Sequence, residues 1–180
     1  MQKFYKILQF DHVDIITNKL LSYIEDINEV NILSYKIDHR KLLNDIPELK
    51  KQLDQYNFGT IGVARILVTA PNTTLRLHTD GNDLQPKFIA LNWPMLNFRD
   101  TEMRWFNSQI SVKDYEEEEG YGTFDLYDRS KAEFLFKKEI TEPTLVNIRC
   151  PHDVVNNHPK TRFMFSIRFD KEPWELFNAE

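Results

Sequence analysis

Between Phe58 and Phe169 the chain is a succession of short, apolar-rich segments with no helical stretch between them: GTIGVARILVTA, TTLRLH, KFIALNWP, EMRWFN, TFDLYD, AEFLFKK, TLVNIR and RFMFSIRF. Each is rich in β-branched or aromatic residues, and turn-forming clusters such as APN, DGND and CPHDVVNNHPK separate them. Parallel strands need long crossovers, usually helical, so this spacing favours antiparallel sheets packed face to face over a βαβ plan. The expected class is mainly β, a two-sheet sandwich or jelly roll.

The first third has a different period. Residues 13–28 place Ile16, Leu20, Leu21, Tyr23, Ile24 and Ile27 at helical intervals, with Asp14 in the first turn, which predicts an amphipathic helix. A second helix is expected over residues 40–55, broken or restarted by Pro47. Both read as packing helices. The expected organisation is one domain over residues 1–180, with supporting helices in 1–57, a β core in 58–170 and a C-terminal tail in 171–180.

Charge narrows the partners. A net charge of −5 and a pI near 5.6 give no general attraction to phosphate backbones, so nucleic acid is not an expected partner. The single cysteine, Cys150, has no internal disulfide partner and is expected as a buried thiol inside a strand, which suits a reducing, cytoplasmic setting. The N-terminus shows no apolar export signal, and no run approaches the length of a membrane helix. The acidic run DYEEEEG, residues 114–120, reads as a solvated loop, and five glycines offer no phosphate-cradling loop.

The residues that bear chemistry begin with His78-Thr79-Asp80. Side chains two apart on a strand share a face about 7 Å apart, so an imidazole and a carboxylate here can converge on one ion. That pair suits a borderline cation such as Fe(II), and a second histidine would complete a two-histidine, one-carboxylate triad with open positions. The alternative is structural: Asp80 opens the DGND turn through its own side chain, and His78 merely ends a strand.

A second histidine comes from residues 144–169, TLVNIRCPHDVVNNHPKTRFMFSIRF. If 144–150 and 162–169 pair as a hairpin, His152 ends the first strand beside Arg162 at the start of the second. His158, inside the loop, is the competitor. Alternation puts Arg162, Met164, Ser166 and Arg168 on one face of the last strand, opposite an aromatic face expected to be core. Arg168 lies about 20 Å beyond Arg162 at strand rise and is not expected to serve the same site.

This arrangement resembles the 2-oxoglutarate/Fe(II)-dependent oxygenases, whose double-stranded β-helix carries H-x-D/E, a distal histidine and an arginine about ten positions later. The resemblance covers residues 60–169, and HTDGNDLQPKFIALNWP is similar to a segment of the aspartyl/asparaginyl β-hydroxylase type, with Lys87 at a basic position and Pro94 closing the strand. Members of that group can lack the carboxylate retained here as Asp80, and their basic residue is arginine rather than lysine. The resemblance implies a jelly-roll, cupin-like double-stranded β-helix with an N-terminal helical layer. It implies His78, Asp80 and His152 as Fe(II) ligands, 2-oxoglutarate and O2 at the open positions, and hydroxylation of an amino-acid, peptide or protein side chain. Arg162 is expected to hold the far carboxylate of 2-oxoglutarate, with Lys87 and Ser166 as candidate further contacts; the alternative for Ser166 is a plain strand serine, and the lysine in place of arginine leaves carboxylate binding by Lys87 open.

The remaining candidates carry less. His12 and His39 lie in the helical third, where a surface or packing role is expected. Arg76 shares the face of His78 and Asp80 and either reaches the site or ends at a solvent edge. Trp93, Trp105, Asn92 and Arg104 lie on strands expected to neighbour the site; the tryptophans are expected in the core, with substrate contact the alternative. The rival readings are a non-catalytic cupin-like binding protein and a metal-dependent isomerase or hydrolase. Neither needs a cation ten residues beyond the distal histidine.

Overall fold

The computed structural model describes residues 3–25, 34–80, 88–108, 111–112 and 124–179. In chain order its strands are β1 (Tyr5–Ile7), β2 (Ser34–Ile37), β3 (Ile61–Thr69), β4 (Thr73–Thr74), β5 (His78–Asp80), β6 (Ile89–Leu96), β7 (Thr101–Asn107), β8 (Ser111–Val112), β9 (Phe124–Tyr127), β10 (Glu133–Lys138), β11 (Thr144–Asn147), β12 (His152–Asn156) and β13 (Arg162–Phe169). The helices are α1 (Val13–Glu25), α2 (His39–Asp45), α3 (Pro47–Gln55) and α4 (Trp174–Asn178). A six-stranded antiparallel sheet runs β1-β11-β6-β13-β3-β2, and a second runs β10-β7-β12-β5-β9-β8 with β4 added beside β12. The strands β5 to β7, and again β11 to β13, alternate between the two sheets, which is the winding of a jelly roll or double-stranded β-helix.

Two apolar clusters hold this together. Between the sheets, Ala90, Val146 and Met164 of the six-stranded sheet meet Met103 and Trp105 of the other, closed by Ile140, Ile148 and Cys150. On the outer face of the six-stranded sheet, Trp93, Phe165, Ile167 and Phe169 pack against Ile16 and Leu20 of α1, Leu42 of α2 and Leu49 and Leu53 of α3. Strand β6 is buried at every position but its last, as expected of a central strand covered on both faces. The indole of Trp93 donates to Thr17 Oγ1 at 2.9 Å, which pins α1 to the sheet. No helix among the described residues is long and apolar enough to cross a membrane.

The helical layer follows local rules. Asp38 caps α2 by accepting from the amides of Arg40 and Lys41. Pro47 stands at the first position of α3, where its missing N–H is harmless, so the expected helix over 40–55 is two helices meeting at Ile46. The first helix ends at Glu25 within the described residues, and residues 26–28 of the expected span lie outside them. The acidic run at 114–120 lies outside them as well.

Several expectations are corrected. Strands β11 and β13 do not form a hairpin: both pair with β6, one on each side of it. The central apolar strand claims both neighbours, and the chain between them crosses to the other sheet as β12. That strand was expected as part of a turn, because Pro151 and the Asn156-Asn157 pair flank it. Its backbone instead pairs with β7 over all five residues. Cys150 is buried, as expected, but in the turn before β12 rather than in a strand. TTLRLH is split into β4 and the start of β5, and the short edge strands β1 and β2 carry too few residues for alternation to show. The C-terminal residues are docked: Glu172 accepts from the amides of Phe88 and Ile89, and Phe177 is buried.

Asn156 closes the turn between β12 and β13. Its fully buried Nδ2 lies 2.9–3.1 Å from the carbonyl oxygens of Thr69, Ala70 and Lys160. Asn156→Ala removes a buried donor to three carbonyls, and urea denaturation is expected to show a loss of about 2 kcal/mol or more.

Candidate metal centre

Strand β5 carries His78 and Asp80 on one face, with Thr79 turned to the other and buried. The backbone pairing sets His152 directly opposite His78, and Asp80 is fixed by its amide donating to the carbonyl of Ile148 at 2.9 Å. Directly opposed residues have side chains in contact, and the two imidazole rings lie with centroids 4.4 Å apart. One nitrogen of each histidine and one oxygen of Asp80 all lie within 4.8 Å of one another.

The tautomers are set by backbone. His78 Nδ1 is 2.7 Å from the carbonyl oxygen of Arg76, and His152 Nδ1 is 3.0 Å from that of Cys150. A carbonyl can only accept, so both rings donate from Nδ1, and Nε2 is the nitrogen each ring presents to an ion. His78 Nε2 lies 3.5 Å from Asp80 Oδ1. The other carboxylate oxygen, Oδ2, is taken by Arg168 Nη2 at 2.6 Å.

The electrostatics suit a cation. Burial favours a neutral Asp80, but the Arg168 guanidinium and the hydrogen bond and charge of His78 outweigh it, and the carboxyl is held well below the usual range. Burial, together with the charge of His78, lowers His152 to about 4, so this ring is neutral at ordinary pH. His78 is raised: burial pulls it down, and the hydrogen bond and charge of Asp80 outweigh that pull.

The other sequence-derived residues fall as follows. Arg162 is buried on the interior face of β13, donates weakly to Thr69 Oγ1 at 3.4 Å, and has no hydrogen-bond partner at Nε. Burial alone lowers its pKa to about 10. Ser166, on the same face, donates to Asn92 Oδ1 at 2.8 Å. Lys87 lies outside the described residues. His158 sits in the turn after β12, where its Nδ1 accepts from the amide of Lys160, and it does not join the cluster. Arg76 is exposed and contributes its carbonyl to His78. Trp93 and Trp105 are fully buried core residues.

Arg168 is the main correction. The expectation that it lies far from the candidate ligands fails, because the His78, Asp80 and His152 cluster sits at the Arg168 end of β13 rather than the Arg162 end. Alternation placed it on the right face; only the packing of the two sheets could say which end of that face meets Asp80. Sequence reasoning also missed Asp153, buried on the opposite face of β12. It is held by Arg104 through two contacts of 2.7 Å and approached by Arg129 at 3.3 Å. Beside the turn that leads into His152, a cleft of about 440 Å³ is lined by Phe88, Phe106, Leu135, Asn147 and Trp174.

No family model matches the sequence, and no curated protein does. Among solved structures, a prolyl-4-hydroxylase from Pseudomonas putida is similar over 95% of this chain and 94% of its own, with a TM-score of 0.55 and 12% identity. The shared property is the fold. AviO1 from Streptomyces viridochromogenes Tue57 is similar over 94% of this chain and 90% of its own, at a TM-score of 0.50 and 11% identity. HygX from Streptomyces hygroscopicus, solved with iron bound, is similar over 92% and 81%, with the same score and identity. The likeness is one of fold and does not reach the aspartyl/asparaginyl β-hydroxylase type.

Two outcomes are expected. His78→Ala, Asp80→Ala and His152→Ala each abolish stoichiometric binding of a divalent ion in anaerobic calorimetry, and His158→Ala leaves it intact. In the metal-free protein, His152 titrates near 4 when folded and near 6.5 when unfolded. The stability it contributes is therefore complete above pH ~6.5 and lost as pH falls toward 4, whereas the contribution of the raised His78 is lost as pH rises. Urea midpoints are expected to fall across that acid window more steeply in the wild type than in His152→Gln.

Proposed function

We propose that this chain is an Fe(II)/2-oxoglutarate-dependent oxygenase that hydroxylates its substrate. One observation carries the reading. The interior of the β-helix combines a donor set of two imidazoles and one carboxylate with a second, deeper cation, Arg162, that has no carboxylate partner among the described residues. Iron in that donor set, with 2-oxoglutarate and O2, would supply the oxidation, with succinate and CO2 as coproducts.

The chain's own residues take defined parts. His78 and His152 bind through Nε2 and Asp80 through Oδ1. Arg162 is proposed to receive the far carboxylate of 2-oxoglutarate from the opposite end of β13 to Arg168, its long side chain and the length of the cosubstrate together covering the separation along the strand. A buried guanidinium without a counter-charge is unfavourable by several kcal/mol, and an incoming carboxylate offsets that by forming charge-assisted hydrogen bonds. Ser166 and Asn92 lie on the same interior face between Arg162 and Arg168 and line the path of the cosubstrate. Lys87 is proposed as a further contact from the segment that follows Asp80.

The substrate is proposed to be a small molecule or a peptide or protein side chain. The cleft beside the turn into His152, with the aromatic rings of Phe88, Phe106 and Trp174, would receive an apolar part of it. A cytoplasmic setting remains part of the proposal, because Cys150 is the one cysteine of the sequence.

The test is an anaerobic Fe(II) titration followed by 2-oxoglutarate. A weak visible charge-transfer band is expected on chelation, and succinate on admitting O2. Arg162→Ala is expected to weaken 2-oxoglutarate binding at least about tenfold while Fe(II) still binds. Iron binding without a band, together with unchanged 2-oxoglutarate affinity in Arg162→Ala, would establish the non-catalytic cupin-like reading instead.

A further inference from the structure

We propose that Arg168 is a positioning residue that restricts Asp80 to one-oxygen ligation and so keeps a third coordination position open on the metal. This rests on the reading of His78, Asp80 and His152 as the ligands. A carboxylate can bind a cation through one oxygen or two. With two histidines, a two-oxygen aspartate fills four octahedral positions and a one-oxygen aspartate fills three. A chelating 2-oxo acid takes two more, so only the one-oxygen mode leaves room for O2.

The geometry around Asp80 divides its oxygens. Oδ2 is engaged by Arg168 Nη2 at 2.6 Å, a charge-assisted contact from the opposite sheet, and both side chains are more than four-fifths buried. Oδ1 is turned toward Nε2 of His78. An ion between the two imidazoles therefore meets Oδ1 first, and taking Oδ2 as well would require breaking the pair with Arg168.

Arg168 is itself held in place by the end of its strand. The pairing of β13 with β3 steps from Arg168↔Val63 to Phe169↔Ile61, which makes Gly62 an extra residue and forms a β-bulge beside Arg168. A bulge bends the strand and re-aims the adjoining side chains. On either side of Arg168, Ile167 and Phe169 are buried on the other face, and the Phe169 ring stacks on Phe58 with centroids 4.4 Å apart. The guanidinium is thus anchored by core packing on the far face of its own strand, independently of the ligands it serves.

Mn(II) tests this, because the water-proton relaxivity of the bound ion reports how many inner-sphere waters it keeps. The wild-type protein is expected to hold three. Arg168→Met is expected to hold two, with relaxivity per bound ion down by about one third. If Arg168→Met does not take the ion, Arg168→Gln, which drops the charge and keeps a polar side chain, is read in the same way. Three waters in the variant as in the wild type, or two in the wild type itself, would overturn the role of Arg168 alone. A wild-type protein that takes no Mn(II) would overturn the metal-site reading and this proposal with it.

Discussion

The arrangement depends on one rung of backbone pairing, His78 opposite His152. Strand β5 is only three residues long, yet it pairs with β12 on one side and β9 on the other. A directly opposed pair brings two side chains together, and a step of two along β5 adds Asp80 to the same face. The whole donor set therefore comes from one rung and one stride. The next strand reinforces it: Trp105 of β7 stands opposite His152, and its indole donates to the carbonyl of Asn147 at 2.8 Å, which ties the turn that carries Cys150. That turn supplies the carbonyl that orients His152.

The buried charges separate into three environments. On the outer face of the sheet that contains β12, Asp153 is matched by Arg104 and Arg129, and Arg129 also stacks 3.7 Å over the Phe106 ring. This cluster ties β12 to β7 and is complete in itself. On the inner face, Asp80 is matched by Arg168 through one oxygen only. Deeper in, Arg162 is buried with no charge opposite it among the described residues. A fold seldom retains such a group without a use for it, because breaking up buried pairs is more damaging than omitting them altogether. The contrast between the satisfied outer cluster and the open inner cation points to the interior as the place where a ligand is completed.

Much of this was legible in the residues. Alternation in RFMFSIRF correctly separated an aromatic core face from a face carrying Arg162, Ser166 and Arg168, because burial on one side imposes a period of two. The i, i+2 spacing of His78 and Asp80 needed nothing beyond strand geometry. What failed were statements about neighbours. The hairpin between β11 and β13, the turn in place of β12 and the distance assigned to Arg168 all assumed that segments close in sequence pair with each other. In a double-stranded β-helix consecutive strands alternate between sheets, so proximity in sequence leads across the core rather than along a ladder.

The sequence by itself determined the β texture after Phe58, the helical layer before it, the placement of His78 and Asp80 on one face and the choice of two faces in the last strand. These follow from periodicity and local hydrogen bonding, which act over a few residues. The residues already favoured His152 over His158; tertiary structure alone decided that the backbone sets His152 opposite His78, that Arg168 meets Asp80 across 88 positions of chain, and that Arg162 is buried with no counter-charge among the described residues. Those outcomes depend on which strand lies beside which and on how far the two sheets curl over one another. They are settled only when the two apolar clusters are packed together, and no local pattern records them.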